Sequence, residues 1–159
     1  MKLYIKQKVF SWGDQFTIKD ANGTDRYFVE GEIFSLGKKF HVYDHAHQEK
    51  AYIQQELLTW MPRYSVYSDG VQVAQIKQEF SFFRQKFIIE GPHWEVTGDF
   101  FDHEYQITAS GRVIATISKE WMTWGDSYEL DIVNAGDEIT ALAVVLAIDA
   151  VIERSKNNH

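Results

Sequence analysis

The sequence predicts a mainly β protein: a closed twelve-stranded antiparallel β-barrel, a meander of six hairpins, around a central hydrophobic C-terminal α-helix. Three observations lead there. Aromatic residues make up 15% of the 159 residues, and such rings favour strands and bury large areas. A short unit of apolar residue, Ser or Thr, loop residues and then aromatic-x-aliphatic recurs along the chain. A single long apolar run, Ile139 to Ile152, stands near the C-terminal end.

The elements follow in order. Met1 to Phe10 alternates apolar and cationic residues, which suits a first strand; it lacks the continuous apolar stretch of a signal peptide, so nothing in it directs export. The repeat then begins. Phe10-Ser11-Trp12-Gly13 leads to Phe16 and Ile18, Phe34-Ser35-Leu36-Gly37 to Phe40 and Val42, and Leu58-Thr59-Trp60 to Tyr64 and Val66, with a spacing of 24 residues each time. Looser copies carry Phe87 and Ile89, Tyr105 and Ile107, and, after Met122-Thr123-Trp124-Gly125, Tyr128 and Leu130. Turn signals separate the units at Asn22-Gly23, Asp44 to Gln48, Asp69-Gly70, Gly91-Pro92 and Ser110-Gly111. Six units of two strands give twelve strands.

Alternation assigns one apolar face to the sheet. Leu3, Ile5 and Val9 share it, as do Tyr27, Val29 and Ile33, then Ala51, Ile53 and Leu57. Gln7, Gly31 and Gln55 fall on the same face, which leaves room there for another element. Gly136 and Asp137 read as a helix entry with an N-cap, and Arg154, Lys156 and Asn157 as its end. The run between is too short to span a bilayer, which needs about 18 to 20 residues. It is apolar on nearly every side, so protein must surround it. The expected organisation is one domain over residues 1–159, with barrel strands in 1–133 and a central helix over 137–155. Two packed sheets with the helix at one end is the alternative arrangement.

Composition narrows the function classes. A formal net charge of −7 disfavours gripping a nucleic-acid backbone, and the absence of cysteine removes disulfides, thiolate nucleophiles and sulfur-based zinc sites, as suits a cytoplasmic protein. No G-x-S-x-G, Walker loop, G-x-G-x-x-G, H-E-x-x-H or EF-hand pattern occurs, and no cofactor or metal is expected.

The segments Lys6 to Ile18 (KQKVFSWGDQFTI), Gly98 to Tyr105 (GDFFDHEY) and Ser118 to Asp126 (SKEWMTWGD) resemble the bacterial members of the LURP-one-related family, and the resemblance covers almost the whole chain. That family is grouped with the tubby C-terminal domain and the phospholipid scramblases, so the resemblance implies a twelve-stranded barrel enclosing a hydrophobic C-terminal helix. It brings no activity with it. Tubby domains bind phosphoinositides, but no motif in this sequence maps onto theirs residue by residue, and fold analogy is a weak warrant for function.

Alternate connections of a meander lie at opposite ends, so the loops after Ser11, Ser35, Thr59, Ser81, Phe101 and Thr123 share one rim. Lys38, Lys39, Arg63, Arg84 and Lys86 fall on three consecutive hairpins there, a cationic half able to take an anionic lipid headgroup or phosphate; ordinary solvated charge is the plainer reading. Trp12, Trp60 and Trp124 each follow the repeat's Ser or Thr, and either pack at the barrel end or dip into a membrane interface. Asp149 is an acid inside the apolar helix. A rise of about 1.5 Å per residue carries it to the loop rim, where Arg63, Arg84 or a neighbouring cation would pair with it as a structural acid.

His45 and His47 form an H-x-H in a turn, with Asp44 near but no third ligand, so an exposed polar loop is the expectation. Asp102, His103 and Glu104 resemble acid–base groups, although a hydrogen-bonded histidine at a strand end accounts for them as well. The expected function is non-catalytic binding, of anionic lipid or a phosphorylated ligand by a cytoplasmic protein peripheral at the membrane. A protein-interaction adaptor that uses no lipid is the alternative, and an enzyme centred on Asp102, His103 and Glu104 a third.

Overall fold

The protein is described from a computed structural model, which covers residues 1–6, 15–32, 36–81, 84–119 and 127–157, with the backbone alone for Ser81, Arg84, Lys156 and Asn157. Twelve strands run in chain order: β1 (Lys2–Lys6), β2 (Gln15–Asp20), β3 (Asp25–Gly31), β4 (Lys39–Asp44), β5 (Glu49–Gln55), β6 (Arg63–Ser68), β7 (Val71–Ser81), β8 (Arg84–Glu90), β9 (Trp94–Asp99), β10 (Glu104–Ala109), β11 (Arg112–Ser118) and β12 (Ser127–Ile132). Each pairs antiparallel with the next. β12 returns to β1 in the register Leu3 with Leu130 and Ile5 with Tyr128, so the barrel is closed and no edge is left to pair with another chain.

The aromatic-x-aliphatic unit builds the interior. Phe16, Phe40, Tyr64, Phe87, Tyr105 and Tyr128 lie on the six even-numbered strands, each two residues before Ile18, Val42, Val66, Ile89, Ile107 or Leu130, all of which are buried. Period-two alternation thus stacks a layer of rings above a layer of aliphatic chains. The 24-residue repeat reaches the turns as well. Register shifts recur after Ile18, Val42 and Val66, and Asp20 and Asp44 each accept two turn amides on Oδ1, from Asn22 and Thr24 and from Ala46 and Gln48. Bulges of this kind sharpen strand twist, which helps a sheet to close.

A 3-10 turn, Ala135–Asp137, leads into α1 (Glu138–Asn157). Asp137 lies within that turn, directly before Glu138, and donates its amide to the Asn134 carbonyl at 3.0 Å, so one turn of 3-10 helix precedes α1. Ala141 to Ile148 and Ala150 are fully buried, which explains a helix apolar on every side, and α1 lies against β5, β6, β7 and β12. Its first residue is clamped. Glu138 accepts from Arg26 Nε at 2.7 Å, Arg26 Nη2 at 3.1 Å and the Tyr27 hydroxyl at 2.9 Å, a bidentate pair at the turn end of the barrel.

Two inward expectations resolve differently. Gln55 receives the Lys38 amide on Oε1 at 3.0 Å and so ties the β3–β4 connection to β5. Leu57 is exposed: β5 ends at Gln55, so Leu57 belongs to a loop and not to the sheet's apolar face. Val9, Ile33 and Gln7 lie outside the described residues.

Candidate functional site

Antiparallel order sends the connections β1–β2, β3–β4, β5–β6, β7–β8, β9–β10 and β11–β12 to one end of the barrel, and α1, starting at the opposite end, finishes among them. This loop end gathers Leu36, Leu57, Leu58, Trp60, Phe80 and Phe101, six of the nine large apolar side chains that the described residues expose. Trp60 is 97% exposed and Leu58 wholly so. Both stand on the β5–β6 connection, which encloses a pocket of about 280 Å³ with Arg154 of α1.

The five candidate cations do not converge on one point. Lys39, Arg63 and Lys86 each precede an inward aromatic residue, so alternation turns them onto the outer wall. Lys86 is held there by Glu79 at 3.8 Å and Glu95 at 4.0 Å. Lys38 turns toward the helix terminus, with Nζ 3.5 Å from the Ala150 carbonyl; burial, against the pull of Glu153, lowers its pKa, and Arg154 lowers it further. Lys39, Arg63 and Arg154 form no ion pair among the described residues, although Arg63 is close enough to Glu90 to help lower that carboxyl's pKa. Arg84 begins β8, and its side chain lies outside the described residues, as do Trp12 and Trp124. The sequence marked Arg154 as part of the helix end and Leu36 and Leu58 as repeat residues, not as site residues; the helix direction and the loop order bring them here.

Asp149 reaches the loop end, as the helix rise predicts; its described partners do not include Arg63, and the Arg84 side chain lies outside the described residues. It accepts from the Tyr128 hydroxyl, and His103 Nε2 lies 3.2 Å from Oδ1. His103 turns inward from the β9–β10 connection at φ 54 and stacks on Tyr128 with ring centroids 4.1 Å apart. Left-handed backbone is uncommon for a non-glycine residue, although histidine adopts it more readily than most. The Tyr105 hydroxyl is buried with no hydrogen-bond partner among the described residues, and burial, reinforced by the Asp149 charge, raises its pKa well above the ordinary tyrosine value. Asp102 and Glu104 do not join this group. Asp102 donates its amide to Asp99, and Glu104 accepts the Lys119 amide, so both brace the chain locally.

On the outer wall, His41 of β4 lies between two carboxylates, with Nδ1 2.8 Å from Glu49 and Nε2 2.8 Å from Glu32. Burial alone would lower its pKa; the two hydrogen bonds and the two charges outweigh it and raise it. A group whose pKa rises on folding stabilises the protein fully below its unfolded value, about 6.5, and loses that contribution as pH climbs through the folded value. A His41→Gln protein is therefore expected to melt lower than wild type at pH 5, with the gap closing by pH 9; a gap constant across that range in thermal melts would contradict the pairing. His45 and His47 are exposed in the adjoining turn, and no group of three or more His, Asp or Glu placed to hold a metal ion occurs among the described residues.

Comparison with known proteins agrees with this architecture. Residues 1–149 match the family described as LURP-one-related. The chain is similar to the uncharacterized protein YxjI of Bacillus subtilis, with 35% identity over 152 residues, covering 96% of this chain and 94% of that protein. A solved structure of an Arabidopsis thaliana protein superposes with a TM-score of 0.66 over 94% of this chain and 90% of its own, at 17% identity, which speaks to the fold alone.

Proposed function

Because the chain belongs to the LURP-one-related family, whose fold does not by itself assign an activity, we propose a role from its own surface: a non-catalytic domain that docks on anionic membrane lipid through the β5–β6 loop. One observation carries this reading. The apolar side chains Leu57, Leu58 and Trp60 are exposed on a loop beside Arg154 of α1, which forms no ion pair among the described residues, and Arg63 opens β6 directly after that loop. An amphipathic tryptophan and a few leucines suit the headgroup region, and each nearby Lys or Arg adds about 1 kcal/mol of attraction to an anionic leaflet. Two weak signals together give stable but reversible attachment. A net charge of −7 would oppose a broad approach to such a surface, so contact would be confined to this end.

No helix of the described residues is long and apolar enough to cross a membrane, and attachment in this reading is peripheral. The test is flotation with phosphatidylcholine vesicles of graded phosphatidylserine content at low and physiological salt. Binding should rise with phosphatidylserine and fall with salt. Arg63→Ala and Arg154→Ala should each weaken it by about fivefold, the equivalent of roughly 1 kcal/mol. Leu58 has φ 59, a conformation that asparagine tolerates, so Leu58→Asn removes the apolar chain without backbone strain; combined with Trp60→Ala it should abolish flotation. Absence of binding at either salt would overturn the proposal and direct the search to a protein partner or a soluble phosphorylated ligand.

A further inference from the structure

A second surface, away from the loop end, has the build of a ligand site. Bulges near the ends of β4 and β6 and the registers between neighbouring strands set His41, Tyr52 and Tyr67 side by side across β4, β5 and β6. The His41 and Tyr52 rings are 4.8 Å apart and the Tyr52 and Tyr67 rings 6.0 Å, so a continuous aromatic floor runs across three strands. Above it lies a groove of about 660 Å³, with Glu32, Glu49 and Asp69 on its sides. That volume is in the range of small-molecule sites.

The charges around the floor do not balance. His41, even when protonated, would supply one positive charge to two carboxylates, and it engages one oxygen of each. Lys50, the other cation of the lining, leans toward Asp44 at 3.6 Å, outside the groove. Asp69 has no cation partner among the described residues. The phenols sense the excess: the pKa of Tyr43 is raised by burial and then by Glu49, Glu30 and Glu32, and that of Tyr52 by burial and then by Glu32 and Glu49. Aromatic faces beside surplus carboxylates suit one chemistry. A cation with an apolar stem gains attraction from the ring quadrupoles and charge-assisted hydrogen bonds from the acids, and a neutral molecule of the same shape gains neither.

We infer that the groove over Tyr52 and Tyr67, bounded by Glu32, Glu49 and Asp69, is a binding site for a small organic cation of the guanidinium or alkylammonium class. The surface is independent of the lipid-docking loop, and the two readings fail separately.

The test uses n-butylguanidinium and its neutral isostere n-butylurea as probes, followed by chemical-shift perturbation on the full chain. The guanidinium should shift resonances of His41, Tyr52 and Tyr67 saturably, and the urea should bind at least about tenfold more weakly. Tyr52→Ala and Glu49→Gln should each weaken guanidinium binding about tenfold. Glu79→Gln changes the same charge on another part of the wall and should leave binding unaltered. Both Glu49 and Glu79 are exposed, so these two variants are expected to fold as wild type does, which keeps the comparison sound if Tyr52→Ala does not fold. Equal binding of the urea, equal loss in Glu79→Gln and Glu49→Gln, or no saturable shift with either probe would each overturn the assignment.

Discussion

An Asp149→Ala protein is expected to unfold roughly 10 °C below wild type. Asp149 is only 8% exposed and accepts from the Tyr128 hydroxyl, with His103 Nε2 beside it. Truncating it takes the acceptor from both partners in a largely buried site, and breaking a buried charged contact of this kind costs about 3 kcal/mol or more. For a chain of this size each kcal/mol lowers the melting temperature by about 3 °C. Asp149→Asn keeps an acceptor for Tyr128 and should fall between the two. In a double-mutant cycle, His103→Ala should cost much less in the Asp149→Ala background than alone, because the contact is already lost. Differential scanning calorimetry of the four proteins measures this directly. Additive losses would show that His103 and Asp149 stabilise the loop end independently.

Gly98→Ala is expected to be at least as damaging, for a reason confined to backbone. Gly98 has φ 135, and a Cβ placed there would lie 2.6 Å from the Glu104 carbonyl oxygen and 2.7 Å from the Tyr105 Cα and Cβ. Gly98 and Tyr105 face each other in the ladder, so β9 and β10 would have to separate where Tyr105 enters the aromatic layer. Strain at such a φ costs about 1–3 kcal/mol and overpacking a further 1–3, or about 4 together. Gly111→Ala isolates the first contribution, since Gly111 has φ 80 with nothing within 4 Å of the added carbon. Urea denaturation should show Gly98→Ala losing about twice as much as Gly111→Ala; equal losses would mean that the strands yield freely.

Much of the barrel is written in the sequence because both of its periods are. Alternation of two set the inward residues, and the 24-residue repeat marked Phe16, Phe40 and Tyr64 as equivalent before any strand was placed. The helix was legible because an apolar run too short for a bilayer has to be surrounded. Alternation also held the answer for Lys39, Arg63 and Lys86: each precedes an inward ring and therefore faces out along the wall, a constraint that their proximity to the loops obscured. The partner of Asp149 was not legible in this way. It depends on His103 adopting left-handed backbone in a four-residue connection, and a residue that is not glycine gives no warning of that. The outer groove escaped for another reason. His41, Tyr52 and Tyr67 become neighbours only through cross-strand registers, which single-chain spacing does not reveal.

The filler of the barrel follows every strand in the chain, and this bears on how the protein is made. β1 pairs with β12 across about 125 residues of sequence, and the layers of rings and aliphatic chains have nothing to pack against until residues 138–157 are present. On a ribosome, strands β1 to β12 emerge as a sheet whose apolar face is open and whose two ends have no neighbour. Such a nascent chain has high contact order and is vulnerable to association with other chains, so it depends on being shielded until synthesis has passed the helix. A nascent chain halted before Glu138 should therefore remain sensitive to protease, while one extended past Asn157 becomes resistant.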